Sequence, residues 1–122
     1  MVQHGAALTR ESGDASLAET VASGRFDQLD ERMAALCHYA VKLTTDPHAM
    51  EQGDLEDLRR TGLDDRGIVD ANQVVSYFNY VNRVADGLGI ELEQSWSEEV
   101  RRPRSYPLSR SWTVSSKTPT DR

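Results

Sequence analysis

Apolar residues in the first 92 positions recur at helical intervals. Leu29, Met33, Leu36, Ala40 and Leu43 follow one another at steps of four, three, four and three, with Cys37 and Val41 beside them. Side chains three and four apart share one helix face, so this spacing predicts a helix from about Leu29 to Thr45 with one buried stripe. Pro47 lies just past its end. Before it, a helical pattern runs from Met1 to about Arg10 and stops at Ser12-Gly13. A short helix is expected over Ala15–Ala22, with Asp14 as its N-cap and Gly24 after it. Beyond Pro47, a piece over about Gln52–Thr61 presents Leu55 and Leu58 and ends at Gly62. Asp64 then caps the strongest helix, about Asp65–Asp86, which stops at Gly87 and Gly89.

No segment alternates apolar and polar residues, and Asp86-Gly87 closes a helical run instead of joining two apolar ones. The fold class read from the chain is therefore all-α: a small helical bundle over residues 1–92, followed by a polar tail over residues 93–122. The tail carries Pro103, Pro107 and Pro119, three of the four prolines, and both tryptophans, Trp96 and Trp112. Ser97–Arg102 has room for a helical turn or two, and the rest reads as extended or disordered.

The long helix is apolar nearly all round, through Ile68, Val69, Ala71, Val74, Val75, Tyr77, Phe78, Tyr80, Val81, Val84 and Ala85. Such a helix is expected at the centre of a bundle, packed on several sides. Tyr77 and Tyr80 are expected to pack there with their hydroxyls at a boundary. The polar residues Asn72, Ser76, Asn79, Arg83 and Asp86 recur at steps of four and three along one face, flanked by Gln73 and Asn82. Two readings of that stripe stand side by side. Its amides and Arg83 satisfy backbone groups and neighbouring helices inside the bundle. Alternatively Asn72, Ser76, Asn79 and Arg83 line a pocket or a subunit interface, where a fixed guanidinium holds an anion or carboxylate.

Charge narrows the partners. The chain's 122 residues hold 14 basic and 20 acidic groups, net −6. Residues 1–92 carry 8 basic against 16 acidic side chains, and residues 93–122 carry 6 against 4. An acidic body has no electrostatic footprint for nucleic acid, and Arg101, Arg102 and Arg104 are too few to supply one. No apolar run approaches the length that spans a bilayer, and the N-terminus has neither the basic nor the apolar region of a signal peptide. One cysteine, Cys37, excludes an internal disulfide, a Cys-x-x-Cys redox pair and a Cys-rich zinc site within these residues. A cytoplasmic setting is the expectation. A short chain buries only about 60–70% of its surface alone, which favours help from other subunits.

Few residues offer chemistry. Cys37 sits on the apolar stripe, where a free cysteine is usually a small inert hydrophobe. Its neighbour His38 points about 100° away on a helix and is no automatic base. His38 and His48 read as surface or boundary groups. His4, His38 and His48 lack metal-ligand spacing, so no metal and no other cofactor is expected. Gly87-Leu88-Gly89 is a helix end and not a phosphate loop.

The stretches MVQHGAAL, CHYAVKLTTDPHAM and GLDDRGIVDANQVVSYFNYVNRVADGLGIELE together resemble the peroxidase-related branch of the AhpD-like alkylhydroperoxidase / carboxymuconolactone decarboxylase superfamily. The likeness covers residues 1–93, and Tyr77–Gly89 is its most specific part. Members carry a Cys-x-x-Cys-x-x-x-His motif on one helix, with a Glu upstream. The resemblance implies a cytosolic antioxidant oxidoreductase that reduces hydroperoxides with thiols. It also implies a homo-oligomer, commonly a trimer or hexamer, and recycling by a thiol or lipoyl-type reductant without metal or flavin. His4 corresponds to the motif histidine, a proton relay. The second motif cysteine then falls immediately before Met1. The apolar pattern already running at Met1 with no cap before it reads as the second half of a helix.

Peroxide reduction needs an activated thiolate and a resolving thiol. With neither cysteine of the motif present, the chain as written is expected to be inactive. The alternative from another class is a non-enzymatic helical module that oligomerises or binds a partner, with the basic tail as a docking arm.

Overall fold

The computed structural model of the chain describes residues 8–90. The start of the first helical piece, including His4, and the whole 93–122 tail with its two tryptophans lie outside the described residues. Helical residues 8–12 lead into α1 (Ala15–Ala22), a 3-10 turn (Phe26–Gln28), α2 (Glu31–Thr45), a second 3-10 turn (Pro47–Ala49), α3 (Gln52–Arg60) and α4 (Asp65–Gly87). The described residues contain no strand. The all-α expectation therefore holds, and the boundaries fall within two residues of those read from the pattern. The two 3-10 turns are additions that periodicity does not reveal, since three residues are too few to show a period.

Each helix starts where a carboxylate takes an unpaired backbone N–H. Asp14 accepts from the Ser16 amide at 2.8 Å, Asp30 from Met33 at 2.9 Å and Asp64 from Gly67 at 2.8 Å. The first turn of a helix has no internal partners for these donors, so such caps decide where it begins. At the start of α3 the direction reverses: the Asp54 carboxylate reaches back to the Glu51 amide at 2.8 Å. At the end of α4, Gly89 takes φ +64°, which lets Ile90 donate to the Ala85 carbonyl at 2.9 Å and Gly89 to Asp86 at 3.2 Å. This left-handed glycine turn satisfies the last carbonyls of the helix. Gly62 ends α3 in the same way, at φ +89°.

The core is small. Tyr39 on α2, Leu58 on α3 and Ile68 on α4 are its buried side chains among the described residues, with Ala35, Leu36, Leu43, Met50, Leu55 and Leu63 packed around them. The predicted α2 stripe thus supplies Leu36 and Leu43, while Tyr39, not on that stripe, is the α2 side chain that is buried. α2 is the hub, touching α3, α4 and both 3-10 turns. Lys42 on α2 clamps α3 through Asp54, its Nζ 2.8 Å from both carboxylate oxygens.

One expectation is overturned. α4 is not a central helix packed on several sides. Val69 is 53% exposed, Val74 56%, Tyr77 61%, Tyr80 67% and Leu88 74%, and Val81 and Val84 are 39% each. The reason is geometric: α2 and α3 cover one side of a 23-residue helix and nothing in the described residues covers the other. The inner side is Ile68, Ala71, Asn72, Val75, Phe78, Asn79 and Ala85, all buried or half-buried. Tyr77 and Tyr80 accordingly stand largely in solvent instead of packing with only their hydroxyls at a boundary. Tyr77 meets Phe78 edge-on, ring centroids 5.5 Å apart.

Candidate functional site

The polar stripe of α4 divides between two environments. Asn72 and Asn79 are half-buried against α2, and Ser76, Arg83 and Asp86 are exposed, as are Gln73 and Asn82. The Asn72 amide nitrogen donates to the Tyr39 hydroxyl at 2.9 Å. The Thr44 hydroxyl sits between the Ala40 carbonyl, 2.6 Å away, and the Asn79 side-chain oxygen, 3.0 Å away. Asn72 and Asn79 are seven residues apart, two turns along one face, and Tyr39 and Thr44 lie five apart on α2. The two helices are thus tied at two heights by side-chain hydrogen bonds.

For Asn72 and Asn79 this geometry is the structural reading: amides satisfied by a neighbouring helix. Ser76 and Arg83 do not join them. The structure brings two of the four stripe candidates together with α2 and leaves the other two facing water. Among the described residues, Arg83 is exposed and stands apart from the two half-buried stripe amides. His4 lies outside the described residues, so its position relative to the stripe is not described either.

Cys37 is half-buried on α2. Burial pushes its thiol from an ordinary 9.0 up to about 11, and the charge of Asp30 adds to the shift. A thiol in that condition is a poor nucleophile, since the thiolate is the reactive form. Burial also lowers the His38 pKa below its usual 6.5. The His38 ring meets Phe26 edge-on at a centroid distance of 5.0 Å, which fixes it against the first 3-10 turn. His38 is half-buried, a boundary position as the pattern reading allows, but its ring contact is not foreseen by that reading. The signal missed was Phe26, whose ring covers it.

Among the described residues no group of three or more His, Cys, Asp or Glu side chains is arranged to hold a metal ion. No helix among them is long and apolar enough to cross a membrane. No family model matches the chain, and no curated protein compared with it matches either.

Proposed function

We propose that this chain is the helical body of an AhpD-like protein of the alkylhydroperoxidase / carboxymuconolactone decarboxylase type, in the lineage of cytoplasmic antioxidant oxidoreductases. The reaction of that lineage is thiol-dependent: a dithiol and a hydroperoxide give a disulfide, an alcohol and water. The attacking thiolate takes the peroxide's distal oxygen as the O–O bond breaks. The resulting sulfenic acid loses water to the second thiol. A thiol or lipoyl-type reductant then reopens the disulfide.

The observation that supports the reading is the pairing of α2 with α4. The two longest stretches of resemblance, residues 37–50 and 62–93, form or overlap these two helices, and residues inside both stretches make the ties between them: Tyr39 with Asn72, and Thr44 with Asn79. The most specific stretch is thereby a structural element, with Asn79 and Phe78 on its inner side.

On this reading these 122 residues are expected not to perform the reaction unaided. Their one thiol, Cys37, is half-buried, held protonated, and has no second cysteine to resolve a sulfenic acid. The test has two parts. The reading frame before the Met1 codon is expected to encode Cys-x-x-Cys ending immediately before Met1, with a Glu further upstream. A chain extended to include them is expected to consume tert-butyl hydroperoxide with a dithiol reductant and to lose that activity on His4→Ala. The 122-residue chain is expected to show none. Turnover by the 122-residue chain above its own His4→Ala control, or an unrelated upstream sequence, overturns the reading.

A further inference from the structure

The outer side of α4 is apolar and uncovered. Val74, Tyr77, Val81, Val84 and Leu88 follow at steps of three, four, three and four, each exposed, with Tyr80 beside them. That spacing sets them in one line along the helix. Their exposed area amounts to roughly 600 Å², the upper end of what a monomeric protein leaves bare. The inner side of the same helix already has its partner in α2. Asp70 continues the outer line one turn before Val74. It is exposed and carries no hydrogen bond or ion pair among the described residues.

We propose that the chain's own segment 96–104 folds back along α4, seats Trp96 and Val100 on this apolar line and brings Arg101, Arg102 and Arg104 towards Asp70. The thiol chemistry plays no part in this inference, and the segment lies beyond the stretch of resemblance. Reach is the first argument. α4 ends in the left-handed turn at Gly89, φ +64°, so the chain leaves the helix axis at Ile90. Trp96 lies six residues further on, a distance of at most about 20 Å for an extended chain. The line from Leu88 back to Val74 is about 21 Å long, at the rise of an α-helix. Its middle, at Val81 and Val84, is within range of Trp96.

The segment also has the pattern that the line requires. Ser95 and Glu98 have the spacing of a capping box, and Pro103 stops a helix, so residues 96–102 are expected to be helical. On such a helix Trp96 and Val100, four apart, share one face. The charges agree with the direction. Arg101, Arg102 and Arg104 follow Val100, and residues 1–92 carry 8 basic against 16 acidic side chains. A segment that starts beside Leu88 and runs back along α4 arrives at the Asp70 end with these arginines. Tethering favours this occupant over a second copy. A segment joined to the end of α4 by a short linker faces the line at a roughly millimolar effective concentration, which a free second copy reaches only in a solution equally concentrated.

The experiment uses tryptophan as the reporter, because both tryptophans lie in residues 93–122 and none in the body. Trp112→Phe in the full 122-residue chain leaves Trp96 alone. Its emission is expected to lie to the blue of that in urea, with acrylamide quenching at least about threefold weaker, since a packed contact excludes the quencher. Both values are expected to hold over about a hundredfold range of protein concentration, as mass action acts on association and not on an intrachain contact. Val81→Glu in the same background is expected to return both to their urea-like values at unchanged helical circular dichroism. Val81 is 39% exposed, so a carboxylate there reaches water without entering the core. Should Val81→Glu unfold the chain, Tyr77→Lys replaces it, at a position 61% exposed. Trp96 quenched in the native chain as freely as in urea overturns the proposal. So does shielding that grows with concentration, since a second copy then provides the cover. Shielding that persists unchanged in both variants overturns it as well, because Trp96 is then seated away from α4.

Discussion

The Asn72 amide on α4 donates to the Tyr39 hydroxyl on α2 at 2.9 Å, and Tyr39 is one of the three buried side chains of the core. The phenol therefore fills the centre of the bundle while its oxygen ties the two longest helices together. Tyr39→Phe keeps the ring and removes the acceptor. It is expected to cost about 1 kcal/mol, the net worth of a half-buried neutral hydrogen bond. Asn72→Ala should cost a similar amount, and the double variant should cost less than the two together. Urea unfolding of the four proteins measures the coupling. A coupling indistinguishable from zero would show that the 2.9 Å contact contributes nothing.

Asp54 performs two tasks with one carboxylate. It accepts from the Glu51 amide at the start of α3, and it holds Lys42 of α2 at 2.8 Å from both oxygens. Its side chain is 17% exposed, so the ion pair is better shielded than the two more exposed arginine pairs, Arg59–Asp65 and Arg60–Asp57. Asp54→Ala is expected to lose about 1–2 kcal/mol, combining a lost cap and a partly buried pair. Asp54→Asn keeps an acceptor for Glu51 and should lose less. Thermal unfolding in low and high salt separates the two tasks: salt weakens the pair and leaves the cap.

Helix positions were legible in the sequence because their signals are local. Asp14 and Asp64 are caps whose acceptor oxygens need only the next two or three residues, and Gly62 and Gly89 mark ends through their own backbone freedom. Asp30 caps α2 in the same way, although the apolar spacing alone places that start at Leu29. What a helix faces is not local. The apolar residues of α4 look the same in a sequence whether they meet the chain's own core or another molecule. Val75 turns inward and Val74, next to it, is 56% exposed. For the same reason the polar stripe was recognisable as one face, but its division between paired Asn72 and Asn79 and solvated Ser76 and Arg83 depends on where α2 crosses. Phe26 over His38 is a contact between a 3-10 turn and a helix twelve residues on, which no period announces.

Cys37 offers a pH test. Burial, with Asp30 adding to it, favours the neutral thiol in the folded chain and lifts its pKa from 9.0 to about 11. Between those values the unfolded chain loses its proton and the folded one keeps it, so the unfolded state binds fewer protons. Stability from this group is full below pH 9 and is lost as pH rises towards 11. Cys37→Ala should flatten that part of the stability curve, by an amount reduced by the solvent that still reaches the thiol. At pH 8 the folded thiol should react with iodoacetamide about a hundredfold more slowly than the same thiol in urea, following the thiolate fraction. Equal rates in the two states would remove the case for an unreactive cysteine.

Two glycines 25 positions apart predict opposite responses to the same substitution. Gly62 holds φ +89°, and a Cβ there would stand 3.0 Å from the Arg32 guanidinium. That guanidinium is not free to leave: its Nε and Nη2 donate to the Thr61 carbonyl at 3.1 and 3.0 Å, joining the start of α2 to the end of α3. Gly62→Ala therefore combines left-handed strain with a displaced arginine and is expected to cost about 1–2 kcal/mol. In an Arg32→Ala background the steric part disappears and the backbone part stays, so the cost should shrink without vanishing. Gly87 is the last residue of α4, keeps a negative φ, and a Cβ there meets nothing within 4 Å. Gly87→Ala is expected to stabilise the helix by about 0.5–1 kcal/mol, because alanine loses less backbone freedom on folding. Chemical unfolding of the four variants decides both signs. A destabilising Gly87→Ala would mean that something outside residues 8–90, a second copy included, already occupies the space beside it.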